Sequence, residues 1–391
     1  MSSSKSIYTK PFVLMCLSTL LFSASFSMII PDLPSYLSSL GGAEYKGLII
    51  SLFTITAGIS RPISGKLADT VGRIPVMIIG SLVCVVAGLL YPVFTTVYGF
   101  LFLRLVHGFS TGFKPTSAAA YIADIIPKER WGEAVGLYGM AFSLGQAVGP
   151  AAGSYITMYS SIETLFYVSS LVGLLSVIII LQLKETLPKK QKFSFSLLKM
   201  KKEEIIDRKA IPAGIVVVLT YLSFGAILTL IPDWTEHIGI KNKGMFFILF
   251  TLSSLLIRFI AGKASDKYGR IRVINFGLIL IIFSTAFIGY ADTTITFMMG
   301  GFFYGLSLGI LSPALNAWTI DLSEPKHRGR AMATMYIALE AGIGIGAFVS
   351  GSFYSDIIGR IPIVFYTIAF INSFALIYLY FRKRRLSLVT V

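Results

Sequence analysis

The chain has 391 residues, of which 55% are hydrophobic and only 14% charged, with a mean hydropathy of +0.77 and a formal charge of +15. Soluble domains carry about 25% charged residues, so this balance excludes an ordinary globular core and marks an all-α integral membrane protein. The basicity does not mark a nucleic-acid binder, because no basic stripe or binding motif accompanies it, and no GxxxxGK[ST] loop supports nucleotide binding.

Twelve apolar runs follow one another at 12–31, 46–64, 74–94, 98–119, 134–157, 164–183, 212–232, 244–262, 273–290, 295–319, 330–353 and 361–381. Each is close to the ~20 residues that cross a bilayer. The segment MSSSKSIYTK leads into the first run, which ends at no small-residue cleavage site. It reads as a membrane helix and not a signal sequence. With both termini placed in the cytoplasm, 26 of the 34 Lys and Arg fall in cytoplasmic segments. Lys46, Lys241, Lys243 and Arg360 fall outside, while Arg61, Arg104, Lys114 and Arg258 lie within or at the ends of helices. This is the positive-inside bias, so the basic charge sets topology in the cell membrane. Cys16 and Cys84 both sit in apolar runs, with no metal spacing and no disulfide framework.

Residues 184–209 interrupt the pattern with nine Lys/Arg and four Asp/Glu. They predict a cytoplasmic linker between halves 1–183 and 210–391, in part an amphipathic segment on the membrane surface. The halves are written alike. Residues 46–80 and 243–277 match without a gap at an offset of 197, with 15 of 35 positions identical. Gly108, Gly112 and Asp124 answer Gly305, Gly309 and Asp321, and Gly145 and Gly149 answer Gly342 and Gly346, all at the same offset. PKER at 127–130 answers PKHR at 325–328, and the Ile-Pro-Asp of Asp32 answers that of Asp233. Duplicated membrane folds place a substrate site between their halves near the bilayer midplane, which predicts a transporter.

Four segments carry a family resemblance: GKLADTVGR from Gly65, RLVHGFSTG from Arg104, GQAVGPAAG from Gly145 and KETLP from Lys184. Taken in order, and with the repeat, they resemble the major facilitator superfamily over essentially the whole length, and the drug:proton antiporter branch within it. The resemblance implies twelve transmembrane helices in two six-helix halves that rock about a central site. It implies export of small organic molecules driven by a proton gradient, with no cofactor, metal or nucleotide, in a chain expected to be a monomer. It also implies that Gly65, Asp69, Gly72 and Arg73, with the copies Asp266, Gly269 and Arg270, form a conformational latch at the cytoplasmic ends of the halves. The helix 4 residue Arg104 is implied in proton coupling. Gly145, Gly149, Pro150 and Gly153 form the helix 5 packing motif, whose alternative reading is generic small-residue packing.

The residues themselves add candidates. At about 100° per residue, Arg104, His107 and Lys114 share one face of the fourth run. Charges at mid-bilayer need a partner or a wet cavity, so this face is expected to line the central cavity. Lys114 then either contacts an anionic or zwitterionic substrate or snorkels toward the interface. His107 either titrates or stays neutral and hydrogen-bonded. Glu340 is the one carboxylate placed deep in a run, about 15 Å from the cytoplasmic end by helix rise. It is either a proton carrier opposite the helix 4 cations or half of a structural ion pair. Asp32 is a second proton-site candidate, with a gate or helix-end role as the alternative for it and for Asp233. Ser25, Ser27, Gln146, Tyr221, Ser223, Tyr304 and Asn316 are candidates to line a cavity for an amphipathic ligand, or ordinary interhelical hydrogen-bonders. A proton symporter for an organic anion or zwitterion and a lipid flippase are the alternative functions. An enzyme is not expected, since the three histidines are scattered at 107, 237 and 327.

Overall fold

Every apolar run folds as helix, because in hydrocarbon a backbone must satisfy its N–H and C=O groups within its own segment. The computed structural model describes residues 7–127, 130–200, 206–324 and 327–389. The matched PKER and PKHR turns therefore lie partly outside the described residues, as do linker residues 201–205.

The first half comprises α1 (Lys10–Met28), α2 (Leu33–Ser39), α3 (Lys46–Thr70), α4 (Arg73–Leu90), α5 (Val97–His107), α6 (Phe109–Ile125), α7 (Trp131–Tyr159) and α8 (Ile162–Ile180). The second comprises α9 (Ile211–His237), α10 (Met245–Tyr268), α11 (Arg270–Tyr290), α12 (Thr294–Leu322), α13 (Arg328–Tyr354) and α14 (Ile361–Val389). Two runs differ from expectation. The first stops at Met28 and restarts at Leu33, across Pro31, which cannot donate to the helix ladder. The fourth breaks at Gly108 into α5 and α6. Among the described residues, nine helices are long and apolar enough to cross a membrane, or ten with the bent α10. The α5–α6 stretch and the glycine-rich α7 are helical but are not among those nine or ten. Many large apolar side chains are left exposed, among them Ile59, Leu256, Ile295 and Phe370. This inverts a water-facing surface and suits a lipid one.

Within each half, small residues set the packing. In the first half α1 lies on α7, with Gly145, Gly149 and Gly153 against Leu20, Ala24 and Met28. In the second, α9 lies on α13, with Gly342 and Gly346 against Val218 and Leu222. Backbone approaches backbone at these points, the usual means of joining helices in lipid. The halves meet through α3 on α13 and α7 on α10, which are repeat equivalents.

The face of the bundle at which α1 begins and α14 ends also carries the loop motifs. Gly72 (φ +141°) and Gly269 (φ +91°) turn the chain between α3–α4 and α10–α11 in conformations that side chains resist. The linker begins with a cap. Glu185 accepts from the backbone N–H groups of Arg73 (3.0 Å) and Ile74 (3.1 Å), which α4 leaves open, and from those of Thr186 and Leu187. Beyond it, the predicted amphipathic helix does not form among the described residues. The segment instead makes short 3₁₀ turns at Phe195–Leu198 and Arg208–Ala210, with Leu197 seated on Leu67, Ala68 and Val76. Gln191 N–H donates to the Thr70 carbonyl, so the chain is pinned across the end of α3.

Burial would raise the Glu185 carboxyl, but the four backbone donors outweigh it and hold the group below its ordinary value. Its stabilisation is therefore present above the unfolded carboxyl's titration near ~4.3 and is lost as pH falls through the lower folded value. Glu185→Ala is expected to lower stability by about 1 kcal/mol, read as a lower melting temperature at pH 7. The difference from the parent should shrink at acid pH.

Candidate functional site

The shared face of Arg104, His107 and Lys114 does not line a space between the halves. It points into the interior of the first half. Arg104 is fully buried, donating through Nε to the Ile49 carbonyl (2.8 Å) and through Nη1 to the Tyr91 hydroxyl (3.3 Å). Its guanidinium lies 4.7 Å from the centre of the Phe53 ring. The same Tyr91 hydroxyl meets His107 Nδ1 at 3.0 Å, and His107 Nε2 lies 3.3 Å from Cys84 Sγ. Lys114 Nζ donates to the Ser18 carbonyl (2.7 Å), Ser18 Oγ (3.0 Å) and Ser176 Oγ (2.7 Å). All three ammonium donors are thus used, and Lys114 ties α6 to α1 and α8. It neither snorkels nor reaches a cavity. Helical periodicity fixed which residues share a face, but the neighbour that face meets was decided by acceptors on α1, α3, α4 and α8.

The other cavity candidates divide. Tyr304 is buried in the second half with its hydroxyl 2.9 Å from Ser223 Oγ, and Ser25 and Ser27 bond to the carbonyls of Ser169 and Gly145. Tyr221, Asn316 and Gln146 remain half-buried.

Glu340 on α13 meets Arg61 on α3, which sequence reasoning had left without a role. Arg61 Nη2 donates to Glu340 Oε1 at 2.5 Å, with side-chain exposures of 15% and 8%. The guanidinium also lies over the Tyr336 ring, 5.0 Å from its centre. Removing one member of such a pair leaves a buried charge uncompensated, at a cost of about 3–5 kcal/mol. The contact has a repeat mate. Arg258 on α10 is 197 residues beyond Arg61, and Ser143 on α7 is 197 before Glu340. Arg258 Nη1 donates to Ser143 Oγ at 3.4 Å. Tyr221 and Tyr336 are its electrostatic neighbours. Between α3 and α13, a groove of about 520 Å³ opens toward the lipid side, lined by Ser51, Thr54, Gly58, Ile337, Glu340 and Gly344 among others.

Toward the face opposite the termini, the halves are sealed. Lys46 on α3 donates to Asp233 (2.6 Å) and Asp356 (2.5 Å), and the Tyr354 hydroxyl also donates to Asp233 (2.9 Å). Its repeat mate Lys243 donates to Ser35 Oγ (2.7 Å) and pairs with Glu236 (2.6 Å). Asp32 accepts from Thr157 (3.0 Å) and Ser154 (3.4 Å), holding the end of α7. Beside the lysines, Gly47 packs on Ala347 and Gly351 of α13, and Gly244, 197 residues on, packs on Pro150 and Ala151 of α7. The positions of Pro150 and Ala347, which differ in chemistry, thus face the same glycine in the two halves. At the other end of the bundle, a methyl group added at Gly132, Gly136, Gly139 or Gly262 would meet nothing within 4 Å, so no neighbouring helix packs closely on these glycines.

The loop motif residues pair inside their own halves. Arg73 bridges Asp69 (2.5 Å) and Asp124 (3.1 Å), and Arg270 bridges Asp266 and Asp321. Each arginine joins the two helices flanking its turn to the end of a third. In this structure the expected latch between halves is a brace within each.

The model of the Major Facilitator Superfamily matches residues 15–241 and 213–389. The chain belongs to the major facilitator superfamily. Over 357 residues it is 29% identical to the multi-drug resistance efflux pump PmrA of Streptococcus pneumoniae, covering 85% of this chain and 87% of that one. It is 28% identical over 332 residues to multidrug resistance protein 2 of Bacillus subtilis, covering 80% and 82%. A crystal structure of a peptide transporter superposes with a TM-score of 0.80 at 14% identity, over 97% and 96% of the two chains. The protein is therefore a multi-pass membrane transporter for small molecules and not an enzyme.

The glycine contacts of the seal generate a test. A side chain at Gly47 must displace the Ala347 carbonyl, which a Cβ would approach to 2.7 Å. Overpacking of this kind costs about 1–3 kcal/mol. Gly47→Val is expected to shift the population toward opening on that face, read as a longer distance between spin labels at positions 39 and 355. An unchanged distance distribution would refute the seal.

Proposed function

We propose that the protein exports small organic molecules in exchange for protons, by alternating access about the cross-half site. The positive-inside bias puts the termini face in the cytoplasm. On this reading the contacts at Gly47, Gly244, Lys46 and Lys243 close the outer face. One observation carries the reading: the ion pair between Arg61 and Glu340 joins the two moving halves below that seal. A proton and the Arg61 guanidinium compete for the same carboxylate. A proton arriving on Glu340 removes the charge that holds α3 to α13, and its departure restores the clasp. Glu340 is thus the proton carrier and Arg61 its partner, in place of Arg104. Likeness to curated multidrug efflux pumps supports the outward direction, and the proton gradient serves as the sole energy source.

Efflux of a panel of dyes and antibiotics from energised cells, with and without a protonophore, tests this. The parent should show protonophore-sensitive efflux. Glu340→Gln should reduce it at least tenfold at equal protein in the membrane, and Arg61→Gln should weaken its dependence on the gradient. Gradient-driven accumulation in place of efflux would convert the reading to a symporter.

A further inference from the structure

The two halves build the same contact twice, and they differ where the charge should balance. Arg61 has Glu340. Arg258 has, at the matching position, only the Ser143 hydroxyl, at 3.4 Å. Its Nε has no hydrogen-bond partner, and it makes no ion pair, among the described residues. Glu340 makes its ion pair with Arg61, at 2.5 Å. A guanidinium inside a membrane protein is stable when paired or facing a wet cavity. Its fork of donors matches a carboxylate or phosphate oxygen pair. Among the described residues no carboxylate pairs with Arg258, which leaves its fork available to an anionic oxygen from outside.

Resting on the reading of this cross-half region as the substrate site, we infer that Arg258 is the docking point for an anionic oxygen group, a carboxylate or a phosphonate, on the transported molecule. Ser143 on α7 contributes its hydroxyl beside the guanidinium. Tyr336 on α13, whose ring lies under the Arg61 guanidinium, offers aromatic surface to the body of the ligand. A docked anion makes the α7–α10 contact an ion pair like the α3–α13 contact, so both cross-half seams then carry balanced charge. The role expected of Lys114 falls to Arg258, because Lys114 is sealed inside the first half by Ser18 and Ser176.

The test uses purified full-length protein in lipid nanodiscs and chloride-free buffer. Thermal unfolding is followed with benzoate, phenylphosphonate, benzyl alcohol or benzyltrimethylammonium. Benzoate or phenylphosphonate should stabilise the parent, and the neutral and cationic probes should not. Arg258→Gln should weaken the response to the anion at least tenfold, while Arg258→Lys retains part of it. The melting temperatures of the variants without ligand report whether each is folded. No stabilisation of the parent by either anion up to saturating concentration, or an equal response in folded Arg258→Gln, overturns the inference. Carboxyfluorescein movement in energised cells separates the two claims: accumulation that Arg258→Gln abolishes would sink the export reading and keep the anion site.

Discussion

A carboxylate and a guanidinium set between two helical bundles in hydrocarbon must either meet or be hydrated. That constraint organises the interface of this protein. Arg61 and Glu340 come from different halves, so their pairing depends on how the halves stand relative to one another. No pair buried within one bundle reports on that relation. Arg104 and Lys114 are just as buried, yet their acceptors are backbone and side-chain oxygens of the same half. They brace one bundle internally, whereas Arg61 and Glu340 sit where the two bundles meet.

Duplication supplies the frame on which this asymmetry is written. Gly47 and Gly244 meet α13 and α7 at matching levels, and Lys46 and Lys243 sit beside them. Phe53 packs on His107 as Phe250 packs on Tyr304, again 197 residues apart. With so much held in common, a departure between copies is informative. Serine at 143 against glutamate at 340 leaves one arginine balanced and the other dependent on a ligand. Two identical pairs would give a more stable interface and a site with less reason to hold anything.

Most of the fold was legible because the repeat and the apolar runs are long-range patterns that lipid enforces strongly. The turn glycines 72 and 269 were legible for the same reason, since both copies carry them. The break at Gly108 was not, as the residues around it are apolar and continue the pattern. The site was legible in part. Glu340 stood out as a lone deep carboxylate, but its partner was sought on the wrong helix. The signal was present in the quoted repeat itself: Arg61 and Arg258 are among its identical positions, and a charge kept twice inside a membrane helix is costly enough to need a use. Lys46 and Lys243 gave a similar signal, as basic residues on the side that the positive-inside bias leaves poor. Helical periodicity misled at Arg104 and Lys114 because it orders residues around a helix without naming what each face touches.

The seal at Gly47 and Gly244 has a consequence for the speed of the cycle. Where two halves close through long side chains, each closure must freeze those chains into one rotamer, at a cost of up to about 2 kcal/mol apiece. Here the closest approach is made by glycine against backbone, which has no rotamers to lose. At those two points closure orders no side chain, so on the proposed cycle the ordering cost of this rim falls on Lys46, Lys243 and Tyr354 beside them.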